Sequence, residues 1–314
     1  MSHLTYPEAI VVGLFQGVSE LFPVSSLGHS VLIPALIGGR WARDLNVSAP
    51  ESPYLAFIVG LHVATALALV VFFWRDWVRI IGGFLTSVRD RRIETPDQRL
   101  AWLLIIATIP VGLTGLLLEH TFRTTLGRPV PAAIFLTANG AILYGGELLR
   151  RRSVATSAGV GAAADSGVAA ADPGDRPGDP VASDLRLSRV GIGPGTLIGA
   201  AQILALLPGI SRSGVTMVAG LLRGLSHEDA ARFSFLLATP VILAAGILKV
   251  PDLTGPLGDG IRGQVLVGAL LSGIGAYLSV RFLVRYFETR TLTPFAVYCS
   301  LAGIASLAVF AVRG

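Results

Sequence analysis

The chain alternates between long apolar runs and short connections rich in arginine or other polar residues. Six runs are uninterrupted: Tyr54 to Trp74, Ala101 to Leu118, Pro131 to Leu149, Phe233 to Val250, Gly263 to Val284 and Pro294 to Val312. Each has about the 20 residues that a helix needs to cross a bilayer. Two other apolar stretches are broken. The first, 9–37, contains QGVSELFPVSSLGHS, which sets Gln16, Ser19, Glu20, Ser25, Ser26 and His29 among apolar neighbours, with Pro23 and Gly28 interrupting the helix. The second, 193–225, contains QILALLPGISRSGVT, where Ser211, Arg212, Ser213, Gly214 and Thr216 follow a Pro-Gly break. Lipid cannot satisfy the backbone groups that a broken helix frees, so both breaks must lie in protein or line a wet cavity.

The two broken stretches are related. An ungapped offset of 186 residues places Gln16 on Gln202, Leu21 on Leu207, Ser25 on Ser211, Gly28 on Gly214 and Ser30 on Thr216. Each broken stretch is followed by three of the uninterrupted runs. The expected fold is therefore an all-α polytopic membrane protein with an inverted-topology repeat, each half a re-entrant helical hairpin plus three transmembrane helices. The first repeat takes residues 1–152 and the second 185–314. Residues 153–184 between them are rich in Ala, Gly, Ser, Asp and Pro with no aromatic residue. They are too poor in apolar side chains to offset ordering and are expected to form a flexible linker. Residues 75–99 are expected to form a basic loop.

Composition agrees with a membrane setting: 52% of the residues are hydrophobic, 14% are charged, and mean hydropathy is +0.67. The formal charge of +5 invites a nucleic-acid reading, but the arginines fall in connections between apolar runs. Connections on one side of the expected topology hold sixteen arginines and those on the other hold five. The positive-inside rule places the first set in the cytoplasm. Both termini then lie outside, with the first broken stretch entering from the outer face. The single cysteine, Cys299, excludes an intrachain disulfide and a multi-cysteine metal site. No cleavable signal peptide is expected.

The polar residues of the two breaks are the candidate chemistry. Ionisable side chains at membrane depth default to a functional role. Arg212, with hydroxyls and a helix start beside it, is a phosphate-type environment; the structural alternative is an Arg212–Glu20 ion pair joining the breaks. Glu20 and His29, with Ser25 and Ser26, could supply base, nucleophile and leaving-group acid. Glu20 could instead hold a divalent metal. Ser25 could cap the following helix, which leaves Ser26 the better nucleophile candidate. His62 is as readily a packing histidine as a site residue. The glycines of 191–199 suit close helix packing better than a nucleotide cradle. A secondary transporter or flippase of an anion or lipid phosphate would also use broken helices at a repeat interface. The acid–Ser–His cluster beside the arginine favours hydrolysis.

The motifs QGVSELFPVSSLGH and PGISRSGVT resemble the two signatures of the undecaprenyl-pyrophosphate phosphatase, or bacitracin-resistance, family; FSFLLATP at 233–240 and PFAVY at 294–298 also look like this family. The likeness extends over the whole chain except 153–184. It implies a multi-pass cell-membrane hydrolase acting on a phosphoric anhydride. The implied substrate is undecaprenyl pyrophosphate, and the implied monophosphate product is the carrier lipid of cell-wall synthesis. The implied catalytic residues are Glu20, Ser26, His29 and Arg212. Gln16, Ser25, Ser211, Ser213, Gly214 and Thr216 are expected to bind substrate. The resemblance further implies a divalent cation, Mg2+ or Ca2+, with Glu20 as a ligand, and a site that opens to the outer face. The partners are the lipid substrate and the bilayer; a homodimer is compatible and nucleic acid is not expected. Some members carry Glu where this chain has Gln16, so here Glu20 must act as the acid alone.

Overall fold

A computed structural model describes residues 4–45, 53–161, 180–255 and 260–313, and all regular structure among them is helical. Helix α1, Tyr6–Ser19, begins at Thr5, whose N–H and hydroxyl both donate to the Glu8 carboxylate at 2.8 and 2.6 Å. It stops short of Pro23, and α2, Ser26–Ile37, resumes beyond the break. A short α3, Gly39–Asp44, follows. The second broken stretch has the same plan: α8, Pro180–Ser188, then α9, Ile192–Ala200, a 3-10 turn at Ala201–Leu206, a break, and α10, Arg212–Leu222. Both post-break helices are capped alike: Ser25 Oγ accepts from Gly28 N–H and Ser211 Oγ from Gly214 N–H, each at 3.2 Å.

The uninterrupted runs become α4 (Pro53–Phe72), α6 (Pro96–Leu126), α7 (Pro129–Gly161), α11 (His227–Thr254), α12 (Arg262–Thr289) and α13 (Thr293–Arg313). Five of these, α6, α7 and α11 to α13, are individually long and apolar enough to cross a membrane; α4 qualifies as one arm of a bent pair. The chain is a multi-pass helical membrane protein.

The basic loop expected at 75–99 is corrected by the structure. Residues Trp74–Asp90 form helix α5, bent 85° from α4. Its apolar residues recur at helical spacing, which the arginines between them disguise. Asp76, Ile80, Gly83 and Ser87 face inward. α6 secures that face: Gln98 Nε2 donates to Thr86 Oγ1 at 3.2 Å and Trp102 Nε1 to Ser87 Oγ at 2.9 Å.

The expected linker is also shorter than its composition implies. α7 continues to Gly161 and α8 starts at Pro180, while 162–179 lie outside the described residues. Asp184, assigned to the linker by composition, is buried and accepts from Arg232 Nε and Nη2 at 2.7 and 3.0 Å and from Arg79 Nη2 at 2.5 Å. A carboxylate with two guanidinium partners orders a segment whose own side chains offer little burial.

The two halves interleave. α1 packs on α12, α4 on both α11 and α12, and α7 on both α10 and α13. Small residues allow the approach: a Cβ on Gly13 of α1 would stand 2.5 Å from the carbonyl oxygen of Gly268 on α12. The glycines of α9 act similarly, with Gly195 and Gly199 against Leu103 and Ala107 of α6.

Candidate active site

The two breaks meet inside the bundle. A Cβ on Gly28 would lie 2.7 Å from the Cα of Gly209, which itself needs glycine because its φ is +118°. The backbone carbonyls freed by the first break are satisfied by side chains of α10 and its cap and of α7. Ser213 Oγ and Ser211 Oγ donate to the Phe22 carbonyl at 3.2 and 3.4 Å. Asn139 of α7 bridges the breaks, its amide donating to the Pro23 carbonyl at 3.1 Å and accepting from Ser211 N–H at 3.0 Å. Ser25 holds φ +68°, a strained value for a residue with a side chain. Such strain costs on the order of 1–3 kcal/mol and collects at functional sites.

Glu20 is the hub of the site. Gln16, one turn earlier on α1, donates Nε2 to Glu20 Oε2 at 2.8 Å. Ser26, at the start of α2, donates Oγ to the same oxygen at 2.5 Å. Arg212, 192 residues away, donates Nη2 to Glu20 Oε1 at 2.9 Å. The structural alternative considered for Arg212 is therefore present as a contact. It does not use the whole guanidinium: Nη1 is buried with no hydrogen-bond partner, as are Gln16 Oε1 and Ser19 Oγ. Orphaned buried donors are costly and call for a ligand or water.

His62 of α4 joins this network, and the sequence left its role open. Its Nδ1 donates to the Ile58 carbonyl at 2.8 Å, which turns Nε2 toward Glu20 Oε2 at 3.3 Å and the Gln16 amide at 3.2 Å. With Nδ1 carrying the proton, the Nε2 lone pair accepts from Gln16, whose other N–H serves Glu20. The only local signal was a histidine in an otherwise apolar span.

The remaining sequence candidates divide. Gln16, Glu20, Ser26 and Arg212 converge. The hydroxyls of Ser25, Ser211 and Ser213 are engaged in helix capping and in joining the breaks. Thr216 Oγ1 donates back to the Arg212 carbonyl at 2.8 Å, and Gly214 packs its open face against Leu143. His29 turns away from Glu20: Nδ1 donates to the Ser25 carbonyl at 2.7 Å, and Nε2 accepts from the Tyr298 hydroxyl at 2.8 Å.

Among the described residues, no three His, Cys, Asp or Glu side chains form a ready-made metal cluster. The site offers one carboxylate, Glu20, and the unpartnered Gln16 Oε1. Mg2+ is usually held by one or two carboxylates together with substrate phosphates and water. This donor set fits a cation shared with a phosphorylated substrate.

Residues 9–305 match the family model described as bacitracin resistance protein BacA. The chain is 68% identical, over 99% of both sequences, to an undecaprenyl-diphosphatase of Mycolicibacterium paratuberculosis. It is 55% identical to undecaprenyl-diphosphatase 1 of Frankia casuarinae, covering 99% of this chain and 100% of the relative. A more distant relative, undecaprenyl-diphosphatase 2 of Chromobacterium violaceum, is 42% identical over 96% of this chain and 97% of its own.

Proposed function

The chain belongs to the BacA bacitracin-resistance family, and on that premise we propose how its two helix breaks carry out the family's chemistry. The protein is a membrane phosphatase that hydrolyses undecaprenyl pyrophosphate to the monophosphate and inorganic phosphate. The observation that carries the mechanism is the contact of Ser26 Oγ with Glu20 at 2.5 Å, with Arg212 on the other carboxylate oxygen.

Arg212 binds the terminal phosphate through its unpartnered Nη1 and, with the first-turn N–H groups of α10, stabilises the charge that builds on the transferring group. Glu20 takes the proton of Ser26. Ser26 Oγ forms a bond to the terminal phosphorus, the bridging P–O bond breaks, and polyprenyl monophosphate leaves. Glu20 passes that proton to the departing monophosphate and, ionised again, takes a proton from the water that attacks the phosphoserine; as the P–Oγ bond breaks and inorganic phosphate departs, the proton returns from Glu20 to Ser26 Oγ. Gln16 holds the Glu20 carboxylate in register, and His62 holds Gln16 by accepting the second N–H of its amide. His29 is placed beside the lipid end of the substrate rather than at the reacting phosphorus. A divalent cation, held by Glu20 and Gln16 Oε1 together with the pyrophosphate oxygens, would supply charge neutralisation there. A transporter reading leaves the Ser26–Glu20 contact without a task.

The wider architecture is proposed as an inverted repeat of two re-entrant hairpins. The matched Ser caps and the contact between Gly28 and Gly209 support it. The arginine distribution supports a cell-membrane location with the site open to the outer side. The test is phosphate release from undecaprenyl pyrophosphate by the purified chain in detergent with Mg2+, beside Ser26→Ala. Wild-type turnover with loss of at least about a hundredfold in the variant is expected. Turnover by Ser26→Ala near the wild-type rate would sink the nucleophile assignment.

A further inference from the structure

A groove of about 300 Å³ lies beside the Glu20 network rather than within it. Its head is formed by His29 and Tyr298, stacked with ring centroids 5.7 Å apart. From there it runs between two helical stripes. On α2 these are His29, Ile33 and Leu36; on α13 they are Tyr298, Ala302, Ala305 and Val309. The stripes extend about 10 Å along α2 and about 16 Å along α13 at the helical rise. Beyond its head the groove presents one polar side chain, Ser306, and that hydroxyl is turned onto the Ala302 carbonyl at 2.7 Å. At the far end Arg313 Nη1 donates to the Leu36 carbonyl at 2.8 Å, tying α2 to α13.

We propose that this groove receives the first isoprene units of the substrate and thereby favours pyrophosphates that carry several isoprene units over those that carry one; the proposal rests on the phosphatase reading above. The occupant follows from continuity with the site. Ser26 and His29 are three residues apart on α2, so their side chains are neighbours on one helix face. The groove begins at His29, next to Ser26 on that face, and so offers a chain attached to a pyrophosphate at Ser26 a continuous apolar path along α2 and α13. Its lining matches an amphipathic ligand: polar groups at the phosphate end, then branched and small apolar side chains. Ala302 and Ala305 supply the width that a methyl-branched chain needs. Tyr298 donates to His29 Nε2 and so keeps the ring against the wall of the groove, where it leaves the passage open.

The test compares the full chain with Ala305→Phe, which fills the outer half of the groove. Purified proteins are assayed for phosphate release from undecaprenyl pyrophosphate and from dimethylallyl pyrophosphate, whose single isoprene unit cannot fill the groove. Losing burial of one or two isoprene units corresponds to about tenfold or more in affinity. The ratio of kcat/KM for the long over the short substrate should therefore fall by about tenfold, through KM. An unchanged ratio in a folded variant overturns the groove assignment. An unchanged ratio together with a changed oligomeric state on size exclusion also overturns it and marks the face as a contact between copies. If Ala305→Phe does not fold, the pair Ile33→Ala and Val309→Ala removes contacts instead, with the same fall in ratio expected. Wild-type protein that releases no phosphate from either lipid sinks the phosphatase reading itself, an outcome distinct from failure of the groove alone.

Discussion

Replacing Glu20 by Gln separates catalysis from scaffolding, because the geometry limits the stability cost. In the native site Glu20 Oε1 faces Arg212 at 2.9 Å, and Oε2 faces Gln16 and Ser26 at 2.8 and 2.5 Å. With Glu20→Gln the new amide oxygen is best placed toward Arg212. The new NH2 then meets the NH2 of Gln16, a donor–donor contact. Gln16 can relieve it by flipping its amide, since Oε1 is unpartnered in the native site. Ser26 can rotate its hydroxyl to accept. The network closes again, short of one charge and of the Gln16–His62 hydrogen bond. The expected loss is that of a hydrogen bond to a charged group, about 1.5–3 kcal/mol. It is not the roughly 3–5 kcal/mol of a broken buried ion pair. Arg212→Met has no such relief, because it leaves the carboxylate without its guanidinium, and should carry the larger cost. Adding Glu20→Gln to Arg212→Met should recover part of it. Turnover should behave differently. Glu20→Gln removes the proposed base and should lower phosphate release by about a hundredfold or more. The measurement is thermal unfolding in detergent beside phosphate release for both singles and the double. Glu20→Gln with more than about a tenth of wild-type turnover would refute the base assignment. Instability of Glu20→Gln equal to that of Arg212→Met would refute the relaxation argument.

Three other outcomes are expected. His62→Ala should lower kcat by about ten- to a hundredfold by freeing Gln16 and so misplacing Glu20, while His62→Gln, whose amide oxygen can still accept from Gln16, should retain more; equal kcat in all three proteins would make His62 a bystander. Deleting 162–179 should leave activity and melting temperature nearly unchanged, whereas Asp184→Ala should lower stability by about 1.5–3 kcal/mol by removing the Asp184 hydrogen bonds to Arg232, which keeps only Asp76 at 3.1 Å; thermal melts of both decide this, and an Asp184→Ala protein as stable as the wild type would contradict it. In a Cys299→Ser background, cysteines at Arg91 and Arg290 should be protected from an impermeant thiol reagent added to intact cells and those at Ala42 and Gly260 should react; the reverse pattern would invert the orientation.

Much of this protein is legible from local sequence because its determinants act over a few residues. Pro23 and the Pro208–Gly209 pair must break helices, and a serine placed three residues before Gly28 or Gly214 can cap the helix that follows. A glutamate and an arginine in apolar sequence must find partners, so Glu20 and Arg212 were identifiable before any contact was known. Only the tertiary structure decided which partners they found. His62 reaches Glu20 across 42 positions because α4 packs on α12, which also carries α1. His29 meets Tyr298 across 269 positions and so turns away from the Glu20 network toward the groove. Helix α5 was hidden because an amphipathic helix is stabilised by the surface it covers, here α6, and the arginines within it read as a loop. Asp184 belonged by composition to the linker, yet two arginines from distant helices order it. A cap or a break is set by covalent geometry within about one helical turn. The partner of a buried charge is set by how whole helices pack, and that information is spread across the entire chain.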